Sequence, residues 1–589
     1  MILQALKEYY VRKAEDPDSL LAPEGWISKG IDYVVVLEKD GQVVRVECLQ
    51  TNDGKNSRPK IEFVPNIGEQ AVKHTNSGKD ANLLWDNSAF VFGLGKSGDI
   101  KIASFLEAII KNLPPEDQGV KAVCSFIRSG ITDPAFFEPI LTHPSYGKEL
   151  SSGFPIVTFQ LAEDDAPYVF YRPTVKSYYE QAAVGGQSPV NQICLITGKP
   201  NAPIQIKHPS IKNLYGQQKI GPLISFNERA FESYGKEKRQ GENAPISKQA
   251  VAAYSKALAH LLQSKQKLQV GDTSTIFWAD APDELETGFL DLFGEPRKDD
   301  PDCNVKAVES LYRSVETGSF VTDSDTNRFF VLGLAPNAAR ISVRFWQVGT
   351  VAEFAGRIRQ HFDDLKIDRA SYDPPYLSLF RLLVNIAKLG ESKNIPPNLA
   401  GDTMRAILSG TPYPATLLQA AIRQIRAEQA KKNDKTGKPL LNVTYARAAL
   451  IKACLNRASR FKNQQEDITV SLDTTNSNPA YRLGRLFAVL EKIQEDAAKP
   501  AKINTTIRDR FYGAASSSPV TVFPTLLKLK NHHLAKLSAG QKVHYEKLIG
   551  EIVWELGPVV AFPAQLPLSE QGRFAIGYYH QQRDLYTKK

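Results

Sequence analysis

Two hydrophobic rhythms share the chain. Over residues 1–372, short apolar runs alternate with polar positions and stop at Gly, Pro, Asn or Asp, the pattern of strands separated by turns. The clearest pair is 31–37 and 43–49 around Lys39-Asp40-Gly41, where the Asp-Gly step supplies the positive φ of a tight hairpin. Further strands are predicted at 155–161, 168–171, 193–197, 275–278, 329–334 and 341–348, with another strand-like run at 89–92. Helical spacing occupies 102–111, 246–263 and 351–362, without a regular βαβ alternation. The acidic stretch 284–302, with Gly294, Pro296 and Pro301, reads as a surface insertion or linker.

From about Tyr376 the period becomes that of helices, at 377–388, 417–431, 445–457, 481–497, 522–537, 543–556 and 570–585. The expected fold class is therefore α+β: an irregular mixed α/β N-terminal region, 1–372, followed by an all-α C-terminal helical bundle, 373–589.

At 589 residues the chain exceeds the roughly 250 to 300 at which a single core stops growing, so at least two domains are expected. The opening MILQALKEYYVRK places Lys7 and Glu8 ahead of any long apolar run and does not read as a secretory signal. No stretch is apolar enough to suggest a membrane span. Cys48, Cys124, Cys194, Cys303 and Cys454 are far apart, with no C-x-x-C pair, which fits a reducing cytoplasm.

Charge changes the picture more. Residues 1–400 carry 45 Lys and Arg against 49 Asp and Glu, a balance of −4, whereas residues 401–589 carry 28 against 15, a balance of +13. The net +9 thus comes from the last third, where it attracts polyanions or simply solvates a helical surface.

The motifs of catalysis are incomplete. Gly93-Leu94-Gly95-Lys96-Ser97-Gly98 fits the dinucleotide fingerprint after 89–92, but the following helix leads to Pro114-Pro115 rather than to a second strand. A phosphate-binding P-loop needs another glycine where Phe90 stands. No histidine precedes an aspartate; His361-Phe362-Asp363-Asp364 comes nearest and is expected on a solvated helix face. No catalytic residue, metal ligand or cofactor is therefore assigned. A nucleotide-dependent enzyme and a protein-binding scaffold stand as the alternative readings.

Two stretches favour nucleic acid. Residues 181–227 contain no Asp or Glu and carry Lys207, His208, Lys212, Asn213, Gln217, Gln218 and Lys219 around Gly198 and Gly216. Lysines neutralise phosphate, amides bond base edges, and a carboxylate-free loop repels neither. The second stretch offers Lys55, Arg58, Lys60, Asn76, Ser77, Lys79 and Asn82, with Trp85 expected in the core. In both, a water-facing structural loop is the competing reading.

The runs NLLWDNSAFVFGLG (82–95), CLITGKP (194–200), HPSIK (208–212), ISFNERAFESYGKE (224–237), VLGLAPNAARISVRFW (331–346), SGTPYPATLL (409–418), YRLGRLFAVLEKIQEDA (481–497) and IGYYHQQ (576–582) resemble, in order, the large subunit of the type I-C CRISPR Cascade complex. The resemblance implies a non-enzymatic role. A guide RNA reads sequence by pairing, while this subunit recognises the protospacer-adjacent motif in duplex DNA, helps open it and supports the displaced strand. It also implies partners: CRISPR RNA, target double-stranded DNA, the Cascade backbone subunits, the subunit holding the guide 5′ handle, and a recruited helicase-nuclease. A small subunit made by internal translation would correspond to about 470–589, from a non-ATG start near Val470, since Met404 is the chain's other methionine besides Met1. Arg482, Arg485, Arg508, Arg510, Lys528 and Lys530 are then the candidates for the displaced strand. Here the glycine-rich loop reads Gly216-Gln217-Gln218, without the alanine that the family commonly places between Gly and Gln.

Overall fold

The run Tyr33-Val34-Val35-Val36-Leu37 is buried on both faces and so forms the middle of a sheet. A computed structural model describes the chain except residues 17–20, 24, 54–55, 66–80, 185–189, 234, 237–238, 318–325, 339, 397, 434–435, 438, 467, 501–502, 504, 555–561 and 588–589. Two compact units emerge, 1–211 with 222–260, and 212–221 with 261–589.

In the first unit, strands Val43–Cys48, Tyr33–Leu37, Ile156–Leu161 and Trp85–Asn87 lie side by side in that order. The first and last pairs are antiparallel and the middle pair parallel. The 33–48 hairpin turns at Gly41, with φ +94, where a Cβ would stand 2.7 Å from Ser125 Cβ. Glycine is needed there for both backbone and space. Helices Gly98–Asn112 and Gln118–Thr132 bury Phe105, Ile109, Val123, Phe126 and Ile127 in the same apolar cluster as the sheet. Each such side chain contributes about 1.5 to 3 kcal/mol. Asp117 starts the second helix by accepting from the Gly119 and Val120 amides.

The second unit opens on an antiparallel sheet, Lys267–Val270, Thr273–Ala279, Arg328–Asn337 and Arg340–Thr350. Thr350 and Glu353 form a capping box that turns the last strand into the helix Val351–Leu365. One buried cluster then runs from Leu268 through Tyr579, so the change of period near Tyr376 falls within a continuous core. Helices Pro479–Ala498 and Leu568–Tyr586 touch along their backbones. A Cβ on Gly484 would lie 2.0 Å from the Phe574 carbonyl oxygen, and one on Gly577 1.9 Å from that of Tyr481.

The molecule is α+β, as its two rhythms require, and each predicted C-terminal helix is present. Four expectations are corrected. Residues 88–91 form a short helix capped by Asn87, not a strand. Val169–Tyr171 is a 3-10 turn in which the aromatic rings of Phe170 and Tyr171 pack edge to face. The 193–197 run is a turn after the two-residue strand Asn191–Gln192. Most important, 284–302 is not a linker: Glu284–Phe293 is a helix that buries Leu285, Phe289, Leu292 and Phe293 while its acids face out. Composition concealed an amphipathic stripe at helical spacing.

Candidate nucleic-acid interface

From Asn191 on, the carboxylate-free stretch folds as short strands and turns. Asn191–Gln192 pairs with Ala202–Pro203, and between them the Gly198 amide donates to the Cys194 carbonyl at 2.8 Å. Cys194 is buried, and its Sγ accepts the Ser247 amide at 3.3 Å. Strands Ser210–Ile211 and Gly221–Pro222 then close a second hairpin.

Its tip, 212–221, is exposed yet tied down. The Tyr215 amide donates to Ser274 Oγ at 3.2 Å, and Lys267 Nζ donates to the Asn213 carbonyl at 2.7 Å. Leu214 is buried beneath the turn at 5% exposure. Asn213 and Gly216 take positive φ, 69° and 70°, and a Cβ on Gly216 would meet nothing within 4 Å. The glycine therefore serves the turn and leaves its outer side open to another backbone. Lys212, Asn213, Gln218 and Lys219 are exposed, and Gln217 is half-buried.

This arrangement adds two groups that the charge argument overlooked. Tyr215 is 59% exposed and Ile220 43%, so a ring and an aliphatic side chain stand among the lysines and amides. The ring in Lys-Asn-Leu-Tyr-Gly-Gln-Gln-Lys was legible as an aromatic interleaved with donors.

His208 takes another role. Its Nδ1 is 2.6 Å from the Tyr254 hydroxyl, and burial pushes the imidazole down to about 4. It is neutral near pH 7 and offers phosphate no charge. Lys207, in the first unit, is exposed.

The 55–87 stretch divides similarly. Lys55, Asn76, Ser77 and Lys79 lie outside the described residues. Arg58 is exposed at the end of a short antiparallel pair. Lys60 is exposed but pairs with Glu62 at 2.8 Å, a hydrogen bond that raises its pKa. Asn82 is a correction: it is 7% exposed and its backbone N–H donates to Asp86 Oδ2 at 2.8 Å, so it shapes the turn into Trp85–Asn87. Trp85 is in the core, as expected, with Nε1 donating to the Pro65 carbonyl at 2.9 Å.

The bundle arginines are the largest correction. Arg482, Arg485 and Arg508 are 1%, 2% and 4% exposed. Arg485 donates to Gln581 Oε1 at 3.0 Å and to the Thr474 carbonyl at 3.3 Å, while Arg508 donates to Asp509 at 3.4 Å and faces Glu491 at 3.8 Å. A strand passing outside cannot reach them. Lys530 is bound to Glu546 at 3.1 Å, whereas Arg510 and Lys528 are exposed.

The broken motifs stay structural. A Cβ on Gly98 would meet the Gly93 carbonyl oxygen at 1.9 Å, so the glycine loop closes on itself. His361 is buried, not solvated, with Nδ1 2.6 Å from the Tyr413 hydroxyl. Asp364 pairs with Arg460 at 2.6 Å. Among the described residues no group of three or more His, Cys, Asp or Glu could hold a metal ion, and no helix is long and apolar enough to cross a membrane.

Compared with known proteins, residues 6–586 match the family described as CRISPR-associated protein (Cas_Csd1). No curated protein matches the chain.

Proposed function

The chain belongs to the family of CRISPR-associated Csd1 proteins, and from that premise we propose that it acts as the non-catalytic large subunit of a type I-C Cascade complex. In this reading the 212–221 tip reads the protospacer-adjacent motif in duplex DNA. Lys212 and Lys219 neutralise phosphates, Asn213, Gln217 and Gln218 address base edges, and Tyr215 offers a surface to an opened base pair. Pairing with the CRISPR RNA then supplies sequence specificity. The observation that carries the reading is this carboxylate-free tip, anchored through its backbone with Lys212, Asn213, Gln218 and Lys219 exposed.

The remaining roles follow the family. The last helices, 373–589, support the open R-loop, with 470–589 corresponding to the separately made small subunit. The backbone and 5′-handle subunits dock around the chain, and cutting is left to a recruited helicase-nuclease.

The test is binding of motif-bearing duplex by the assembled complex. Lys212→Ala with Lys219→Ala should weaken it by roughly tenfold per lost phosphate contact and shallow the salt dependence by about two log-log units. Gln217→Ala with Gln218→Ala should change motif preference more than affinity for unrelated duplex. Unaltered affinity in the lysine variant would overturn the assignment of the tip.

A further inference from the structure

Removing three buried arginines from the list of candidates leaves open where the positive field of the last third emerges. Besides the exposed lysines of the helices Phe523–Leu534 and Ala539–Trp554, part of it emerges across two other helices and a hairpin. The helix Ala415–Ala427 exposes Arg423 and Arg426 one turn apart. It runs directly into a hairpin in which the Leu440 amide donates to the Lys431 carbonyl at 2.9 Å, Lys432 bridges Pro439, and the Gly437 amide donates to the Asn433 carbonyl at 2.8 Å. Lys431 and Lys432 are exposed on that hairpin. The helix Ile507–Ala515 is attached to the same surface: the Gly513 amide donates to Gln429 Oε1 at 2.8 Å, and a Cβ on Gly513 would lie 3.7 Å from Arg426 Nε. Arg510, exposed, precedes Gly513 by one turn.

Ordinary structural duties account for two of these five cations. Lys431 pairs with Glu428 at 2.6 Å, and Arg426 sits in the last turn of its helix, where a cation complements the dipole. Arg423, Lys432 and Arg510 form no ion pair among the described residues. We propose that this surface binds double-helical nucleic acid through its phosphates, without reading sequence, as a contact additional to that of the motif-reading tip.

A duplex fits better than a single strand. Single-strand sites combine cations with exposed rings on which unpaired bases stack. Here the 415–441 segment contains no aromatic residue, Phe511 packs half-buried against the core, and Tyr512 is buried. A duplex keeps its bases stacked within itself and asks only for positive charge held in place. The backbone hydrogen bonds of the hairpin and the Gly513–Gln429 tie hold it, which lowers the ordering cost of binding.

The proposal rests on the nucleic-acid reading above. Its test compares a mixed-sequence DNA duplex lacking the motif with a single strand of equal length, on the full chain carrying Arg423→Gln, Lys432→Gln and Arg510→Gln. All three side chains are exposed, and unchanged thermal melting certifies the fold. The variant should lose about 2.7 units of log-log salt slope on the duplex and bind it on the order of a thousandfold less tightly, with a smaller loss on the single strand. Unchanged duplex binding, or a larger loss on the single strand, overturns the proposal. The Lys212/Lys219 variant on motif-bearing duplex separates the failures: if it still weakens binding, the patch alone is refuted, and if neither variant has an effect, the nucleic-acid reading falls with it.

Discussion

The 212–221 tip and the Pro479–Ala498 helix both place cations beside glycines, and they dispose of them in opposite ways. At the tip, Lys212 and Lys219 stand in water above a turn whose anchors are backbone groups. In the helix, Arg482 and Arg485 are drawn into the core because Gly484 lets the Leu568–Tyr586 helix close to backbone contact. The same charge is a solvent-facing group in one place and a buried group in the other. What differs is the apolar surface around it: a loop with little to bury exposes its lysines, while a helix apolar on nearly all sides buries its arginines with their stems, the Arg485 head bonding Gln581 and the Thr474 carbonyl.

The strongest way to break this comparison is Arg508→Ala. It strips the guanidinium from beside Glu491, whose carboxyl burial already raises in pKa, and should cost about 3 to 5 kcal/mol. Arg510→Ala, two residues on and exposed, should stay within about 0.5 kcal/mol of the parent in thermal melting. A folded Arg508→Ala protein that has lost nucleic acid affinity would mean that the buried arginines serve the ligand after all.

Histidines sharpen the contrast. His208 near the hairpin and His580 in the bundle are each held next to a tyrosine hydroxyl, and burial lowers both to about 4. A folded pKa below the unfolded one means that the folded chain binds fewer protons. Stability is therefore full above about pH 6.5 and drains as pH falls toward 4, by at most about 1.4 kcal/mol per pH unit for each histidine. His208→Gln should flatten that slope in melting experiments over this window; an unaltered slope would show that His208 is already charged. Carboxylates held low, such as Asp117 and Asp496, add their loss at lower pH.

A small effect, confined to the tip, belongs to Gly216→Ala. Nothing is near its Cβ, so the cost is only that of a left-handed backbone, about 1 kcal/mol, spent in reshaping the tip. Duplex affinity should fall a few-fold with melting nearly unchanged. A large drop in melting temperature would place the tip within the core's support rather than above it.

Much of this was legible in the chain. Period two and period 3.6 located the 33–48 hairpin and the C-terminal helices, because burying one face of a strand or helix imposes that period on the sequence. The absence of carboxylates from 181 to 227 marked the tip, while the positive φ of its Asn213 and Gly216 came only with the structure. Short apolar runs failed at 89–92 and 168–171, since four residues fit a helical turn as well as a strand. The acidic helix Glu284–Phe293 was missed because composition was weighed above spacing.

Only the folded chain decided which charges face outward. Arg482, Arg508 and Arg510 are alike in sequence, but exposure depends on what packs across from each: Gly484 against Phe574 for the first helix, Glu491 for Arg508, open solvent for Arg510. Those neighbours come from segments far apart in the chain, brought together by tertiary packing. Local pattern therefore set the elements and the turn chemistry, and long-range contact set which cations can meet a partner.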